Sequence, residues 1–325
     1  MLIILLFRTL VVISASSWFT AWVGFEFNTI VFLPLMYSWD RLRAEAIIKY
    51  FIIQTVGSII LFSSGIFYSS ISLIFNSSLL WSSSIIVLAL SIKLGIFPLY
   101  FWFPAIVEGL KWSSLALLLT WQKIAPLNLI LNFNQNKLLI LVIISISALI
   151  GAFGGLNQLF IRKLLAYSSI THIRWISALT SLSLLSFTNY LLIYFILNLS
   201  ILLIFYSSNI IHITQIFQIQ SYSPIILLLF SLNFLSLGGI PPFIGFLAKW
   251  VAIISLLFYS QIFLAGLLII TSVITLFFYI RITYQALSLS SSISLWIPIS
   301  YNMPNFSLLI LIPIISLPII ISFLI

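Results

Sequence analysis

Long apolar stretches follow one another along the chain, separated only by short gaps marked by polar residues or proline. Cutting at those gaps gives spans near 2–20, 21–38, 44–68, 79–104, 112–131, 137–157, 163–184, 187–210, 223–257, 263–287 and 304–325. A bilayer crossing needs about 20 apolar residues, so the pattern predicts about eleven transmembrane helices. The runs are hydrophobic on most faces and do not alternate apolar with polar residues, which argues against a transmembrane β-barrel. The expected fold class is therefore all-α, a polytopic transmembrane helical bundle. Residues Met1 to Thr20 lack a basic leader and a small-residue cleavage site, and they read as a first span rather than a removable signal.

Composition agrees with the pattern. Of 325 residues 63% are hydrophobic and 5% charged, whereas soluble domains carry about 25% charged residues. The net charge of +9 has no polar domain on which to build a basic groove, which sets nucleic acid aside as a partner. The chain has no cysteine, which excludes thiolate metal sites, iron–sulfur ligation, disulfides and Cys nucleophiles. Any redox chemistry must then belong to a partner. Heavy Ile, Phe, Leu, Ser and Asn usage hints at an A+T-rich, organelle-encoded gene.

The basic residues orient the bundle. Alternating sides places Arg41, Arg43, Lys49, Lys111, Arg162, Lys163 and Arg281 on the N-terminal side and Lys137 alone opposite. The bias puts the N-terminus on the positive-inside face, the matrix of a mitochondrion or the cytoplasm of a bacterium. Of the 13 basic residues, Arg8, Lys93, Lys123, Arg174 and Lys249 remain inside predicted spans. A lysine near mid-span costs about 2.5–3.5 kcal/mol on insertion scales. Such residues persist when they face the bundle interior, where water, hydroxyls or a carboxylate solvates them, and Glu26 in WVGFEFN is an intramembrane carboxylate.

Helix interruption is the second signal. Gly95 and Pro98 follow Lys93 in SIKLGIFPLYFWFP, and Pro241 and Pro242 precede Lys249 in LGGIPPFIGFLAKW. Proline removes a donor and glycine loosens the helix, so both spans should break near the midplane and expose backbone groups to a polar cavity. A broken helix in each half, with lysine before one break and after the other, suggests an inverted repeat of approximately 1–131 and 137–287, followed by a helix at 304–325, all in one membrane domain. Glu26, Lys93, Lys123 and Lys249, bridged by water and hydroxyls, would form a mid-depth proton relay in which charge moves as Glu26 shifts toward or away from Lys93. His172, near the centre of span 163–184, is a further candidate because imidazole titrates near neutrality. Arg8 fits an interfacial position, Glu108 and Lys111 a solvated pair, and His172 and His212 lie at different depths, which disfavours a shared haem.

Six stretches resemble the subunit-2 family of mitochondrial NADH dehydrogenase, the smallest antiporter-like subunits of respiratory complex I. They are WVGFEFN (22–28), EAIIKYFIIQ (45–54), SIKLGIFPLYFWFPAIVEG (91–109), LLLTWQKIAP (117–126), GAFGGLNQLFIRKLLAYSSITHI (151–173) and LSLGGIPPFIGFLAKW (235–250). The resemblance implies an eleven-helix form and matches Glu26 to the family's intramembrane glutamate, Lys93 and Lys249 to the lysines of its two broken helices, and Lys123 to its central lysine. It implies no cofactor bound by this chain, with NADH, FMN, iron–sulfur clusters and ubiquinone held by partner subunits. It also implies other membrane-arm subunits as partners, the lipid bilayer of the mitochondrial inner membrane as surroundings, and redox-coupled proton translocation as the shared activity. The chain departs from the family at Tyr100, where His is usual, at Ala248, where Pro is usual, and at Arg174, where a small residue is usual. Two other readings stand beside this one. A stand-alone sodium or potassium/proton antiporter would call for more intramembrane carboxylates than Glu26. A structural linker of a membrane arm would use the lysines as fixed charges.

Overall fold

The computed structural model describes residues 1–37, 40–71, 76–132, 136–216 and 224–287. Among these are the α-helices α1 (Leu2–Ile13), α2 (Trp18–Met36), α3 (Arg41–Ile71), α4 (Asn76–Leu94), α5 (Trp102–Gly109), α6 (Trp112–Leu119), α7 (Ile124–Asn132), α8 (Lys137–Leu156), α9 (Ile161–Thr180), α10 (Leu184–Ser208), α11 (Pro224–Gly238), α12 (Ile244–Phe258) and α13 (Ile262–Leu287), with a 3₁₀ turn, Trp121–Lys123, between α6 and α7. Ten of the eleven predicted spans have helical counterparts; the eleventh, 304–325, lies outside the described residues. Trp18–Met36, Arg41–Ser70, Trp112–Asn132, Lys137–Leu156, Leu184–Ser208 and Ile262–Leu287 are long and apolar enough to cross a membrane. Trp81, Phe258 and Phe263 stand mostly exposed, as side chains do where the solvent is lipid.

Two compact units divide the chain at Ser147 and Ala148. In the first, α2 packs between α1 and α3, and α3 also packs against α4 and α5, while α7 closes on α1 and α4. In the second, α12 contacts α9, α10, α11 and α13, and α11 packs along α13. Seventeen of the 20 residues of α9 are buried. That explains why a helix carrying Ser168, Ser169, Thr171, His172, Arg174 and Ser177 lies in an apolar chain: its polar groups face protein instead of hydrocarbon.

Boundaries differ from the sequence reading in two places. The expected first span, 2–20, ends at Ile13, because Ser17 and Thr20 form a reciprocal capping box that starts α2. The expected span 112–131 is interrupted at Trp121–Lys123, so the chain has a third break beside the two foreseen. Pro126 accounts for it, since its ring displaces the carbonyl four residues back and cannot donate to it.

The two foreseen breaks share one local geometry. At the end of α4 the Gly95 amide donates to the Ile92 carbonyl (3.1 Å) and the Ile96 amide to Ser91 (3.2 Å). At the end of α11 the Gly239 amide donates to Ser236 (3.0 Å) and the Ile240 amide to Leu235 (3.3 Å). Each pair is a Schellman closure, which needs a left-handed residue just past the helix, and Gly95 (φ 74°) and Gly239 (φ 79°) supply it. A side chain at Gly95 would strike Phe103 at 2.9 Å, and one at Gly239 would strike Lys249 at 2.8 Å. Gly95→Ala and Gly239→Ala should therefore each destabilise the protein by about 1–2 kcal/mol or more. Gly266→Ala, on the open face of α13 with nothing within 4 Å, should stabilise by about 0.5–1 kcal/mol. Thermal unfolding of the detergent-solubilised variants measures both signs.

Candidate functional site

In the first unit the candidate residues come from three interrupted or packed segments. Glu26 sits on α2, where its Oε1 accepts a hydrogen bond from Ser58 Oγ on α3. Lys93, in the last turn of α4, is buried, and Nζ donates to the Gln54 carbonyl at 3.4 Å while Gln54 Nε2 returns a bond to the Lys93 carbonyl at 3.4 Å. Its stem passes Gly57, where a Cβ would come within 3.3 Å of Lys93 Cγ. The Phe25 ring lies under the amine, 4.3 Å from Nζ to the centroid, and Glu26 is within electrostatic reach of it. A cation over an aromatic face is stabilised without a counter-charge.

Lys123 ends the 3₁₀ turn, with Nζ 4.5 Å from the centroid of Phe103. It is buried, and its amine has no hydrogen-bond partner among the described residues. Lys93 and Lys123 both line one small cavity of about 20 Å³, room for about one water, whose walls are the polar Asn28, Thr29, Gln54 and Gln122 and the aromatic Phe25, Trp102 and Phe103. Across its wall Asn28 and Gln122 form a reciprocal amide pair, with Asn28 Nδ2 to Gln122 Oε1 at 2.7 Å and Gln122 Nε2 to Asn28 Oδ1 at 3.4 Å. The unit thus brings Lys93 and Lys123 to one small cavity with amide and aromatic walls, with Glu26 beside Lys93.

The second unit holds the remaining candidates. Lys249 on α12 is buried and donates from Nζ to the Gly238 carbonyl at 2.5 Å, so it rests on the final turn of α11. His172 on α9 is buried with Nδ1 3.2 Å from the Tyr190 hydroxyl of α10, and its ring also lies against Tyr194. Arg174, one turn from Ile170 on α9, is completely buried; Nε donates to the Thr171 carbonyl (2.9 Å) and Nη1 to the Ala148 carbonyl (2.8 Å).

Three further residues have aromatic surroundings. The Arg8 guanidinium lies 3.8 Å from the centroid of Phe27 between α1 and α2. His212 forms an isolated β-bridge with Phe160, and the two rings are 4.4 Å apart. Tyr100 pairs its ring with Phe101 at 3.9 Å in the loop after the first break.

Sequence reasoning did not single out Gln54, Ser58, Asn28, Gln122 or Tyr190. The signal for two of them is spacing: Gln54 and Ser58 are four residues apart in α3, which puts both on one helix face, and that face meets Lys93 and Glu26. The phenyl rings under the amines carry no such signal, because Phe is common throughout the chain.

The sequence profile described as NADH:quinone oxidoreductase/Mrp antiporter, transmembrane, matches residues 15–275. A protein of Anopheles gambiae called NADH-ubiquinone oxidoreductase chain 2 is 41% identical over 302 residues, covering 91% of this chain and 87% of its own. A protein of the same name from Aedes aegypti is 38% identical over 319 residues, 97% of this chain and 93% of its own. Among solved structures, a chain of respiratory complex I from Thermus thermophilus superposes with a TM-score of 0.80 at 20% identity, over 87% of this chain and 69% of that one. A chain of the Mrp complex from a Dietzia species gives 0.78 at 19% identity, over 87% and 59%. These two likenesses establish a common fold. The chain is a member of the NADH:quinone oxidoreductase/Mrp antiporter family of membrane subunits.

Proposed function

We propose that this chain is a core membrane-arm subunit of a proton-translocating NADH:ubiquinone oxidoreductase, taking part in redox-coupled proton movement without a redox centre of its own. The relatives' name and their coverage of nearly the whole chain support the assignment to that enzyme. The observation that carries the proton reading is the cavity that Lys93 and Lys123 share. Lys123, whose amine has no hydrogen-bond partner among the described residues, faces a space with amide and aromatic walls that holds about one water, and a water there would bond the amine and carry a proton.

The residues take distinct parts. Glu26, held by Ser58, sets the charge beside Lys93; Lys93 exchanges a proton with the cavity; Lys123 receives it; and Lys249 acts in the same manner at the second break, with His172 and Tyr190 as a hydrogen-bonded pair able to pass a proton. Transfer in series along Glu26, Lys93, Lys123 and Lys249 is the relay we infer, within a single membrane domain of two inverted repeats. NADH, flavin, iron–sulfur clusters and ubiquinone are handled by partner subunits, and contact with neighbouring membrane-arm subunits runs helix to helix in the bilayer. The setting is the mitochondrial inner membrane, with the N-terminus on the matrix side as the loop charges indicate.

Two measurements in the assembled complex, reconstituted in liposomes, test the relay. Lys93→Met and Lys249→Met should each leave NADH oxidation by a soluble electron acceptor unchanged. Both should slow quinone-linked proton pumping by about tenfold, the equivalent of about 1.4 kcal/mol on the limiting barrier. Normal pumping by an assembled variant would assign the lysines to structure and favour a linker role. For the carboxylate, Glu26→Gln keeps the acceptor for Ser58 and removes the charge, whereas Ser58→Ala keeps the charge and removes the bond. The first should slow pumping by about tenfold and the second by about two- to fivefold, since the single hydrogen bond contributes the smaller share. A reversed order would mean that geometry, not charge, is what Glu26 provides.

A further inference from the structure

The four carboxylates of the chain, Glu26, Asp40, Glu45 and Glu108, all precede residue 109, and residues 148–325 contain no Asp or Glu. The second unit nevertheless buries two cationic side chains, Lys249 and Arg174. Arg174 is the more deeply buried, with no accessible surface, and is held by carbonyls instead of a counter-ion: Nε by Thr171 and Nη1 by Ala148. Its Nη2 has no hydrogen-bond partner among the described residues. Guanidinium does not give up its proton in proteins, whereas an ε-ammonium does so readily when buried.

Arg174 and Lys249 are carried by neighbouring helices. Helix α9 packs against α12, and the Arg174 charge is within electrostatic reach of Lys249 and of the hydroxyls of Tyr190 and Tyr279. The buried titratable or charged groups on the helices packed against α12 are His172 and Arg174 of α9, Tyr190 and Tyr194 of α10, and Tyr279 of α13. In α11 the buried polar side chains are Ser231, Asn233 and Ser236, none of which titrates near neutrality.

We propose that Arg174 is a positioning residue for the proton on Lys249: a fixed, carbonyl-held positive charge against which Lys249 is the only one of the two cations able to discharge. Proton loss from Lys249 relieves the repulsion between two like charges in a unit that has no acid to offset them, and proton uptake restores it. The Thr171 and Ala148 carbonyls keep the guanidinium from turning away, so the repulsion is not relaxed by movement of Arg174. This inference rests on the reading of Lys249 as a relay lysine.

The test uses the assembled complex in liposomes carrying Arg174→Gln, Arg174→Met, Arg174→Lys or Lys249→Met. Gln retains an amide donor for the Ala148 carbonyl and loses the charge; Lys retains the charge. Expected are a loss of about fivefold to tenfold in pumping for the two neutral variants, the scale of one like-charge interaction at the effective dielectric of a protein, and rescue to within about twofold by Lys. Wild-type pumping in Arg174→Gln, or equal loss in Gln and Lys, assigns Arg174 to hydrogen bonding and overturns the inference. Failure of both neutral variants to assemble assigns it to the fold and overturns it as well. If Lys249→Met pumps normally, the relay reading falls and takes the inference with it. If Lys249→Met is impaired while the neutral Arg174 variants are not, the inference alone falls.

Discussion

Buried cations resting on main-chain carbonyls are the constraint from which the rest of this structure follows. Lys93 bonds to the Gln54 carbonyl, Lys249 to that of Gly238, and Arg174 to those of Thr171 and Ala148. An intact helix has its carbonyls committed to amides one turn on, except in its last turn, where four are left over. A membrane chain with almost no carboxylates can solvate an amine only by ending helices inside the bundle or by bringing a cation to a carbonyl able to accept twice. The break after Gly238 gives Lys249 its acceptor, whereas Lys93 uses the mid-helix Gln54 carbonyl of α3 as a second-time acceptor.

Helix ends offer more than acceptors. The C-terminal end of a helix carries about half a negative charge, which favours a cation nearby. Lys93 lies in the last turn of α4, and Lys249 reaches from α12 to the last carbonyl of α11. One lysine is carried by the last turn of the helix that ends at the break and the other by the helix that follows the break, and of the two amines it is that of Lys249 that bonds a terminal carbonyl. The matching Schellman closures at Gly95 and Gly239 fix both termini in the same way. The similarity is local, and it survives although the sequences around the two breaks share little beyond Gly-Ile and a following proline.

Much of this was legible from hydropathy and spacing because a bilayer leaves few alternatives: apolar runs of the right length must be helices, and Gly and Pro beside a lysine must mark a break. The interruption at Lys123 was less legible because its proline, Pro126, comes after the turn it distorts and the run has no glycine. The start of α2 was misplaced for a related reason, since hydropathy does not notice Ser14 to Ser17, whereas the capping box at Ser17 and Thr20 does set the boundary. In the site, charged residues declared themselves by their cost, but their neutral partners did not. Gln54 and the Asn28–Gln122 pair are ordinary polar residues until the packing of α2, α3 and the Trp121–Lys123 turn brings them to the same cavity, and Ser58 until it meets Glu26.

The uneven placement of acids separates the two units in kind. In the first, a proton arriving at Lys93 is met by the field of Glu26, and the Phe25 ring adds a further favourable term. In the second, nothing negative is available in the sequence, and a proton on Lys249 is met by carbonyl dipoles and by the positive charge of Arg174. Charge on a lysine therefore meets unlike surroundings in the two halves of one chain: an acid and an aromatic face in the first, carbonyl dipoles and a like charge in the second.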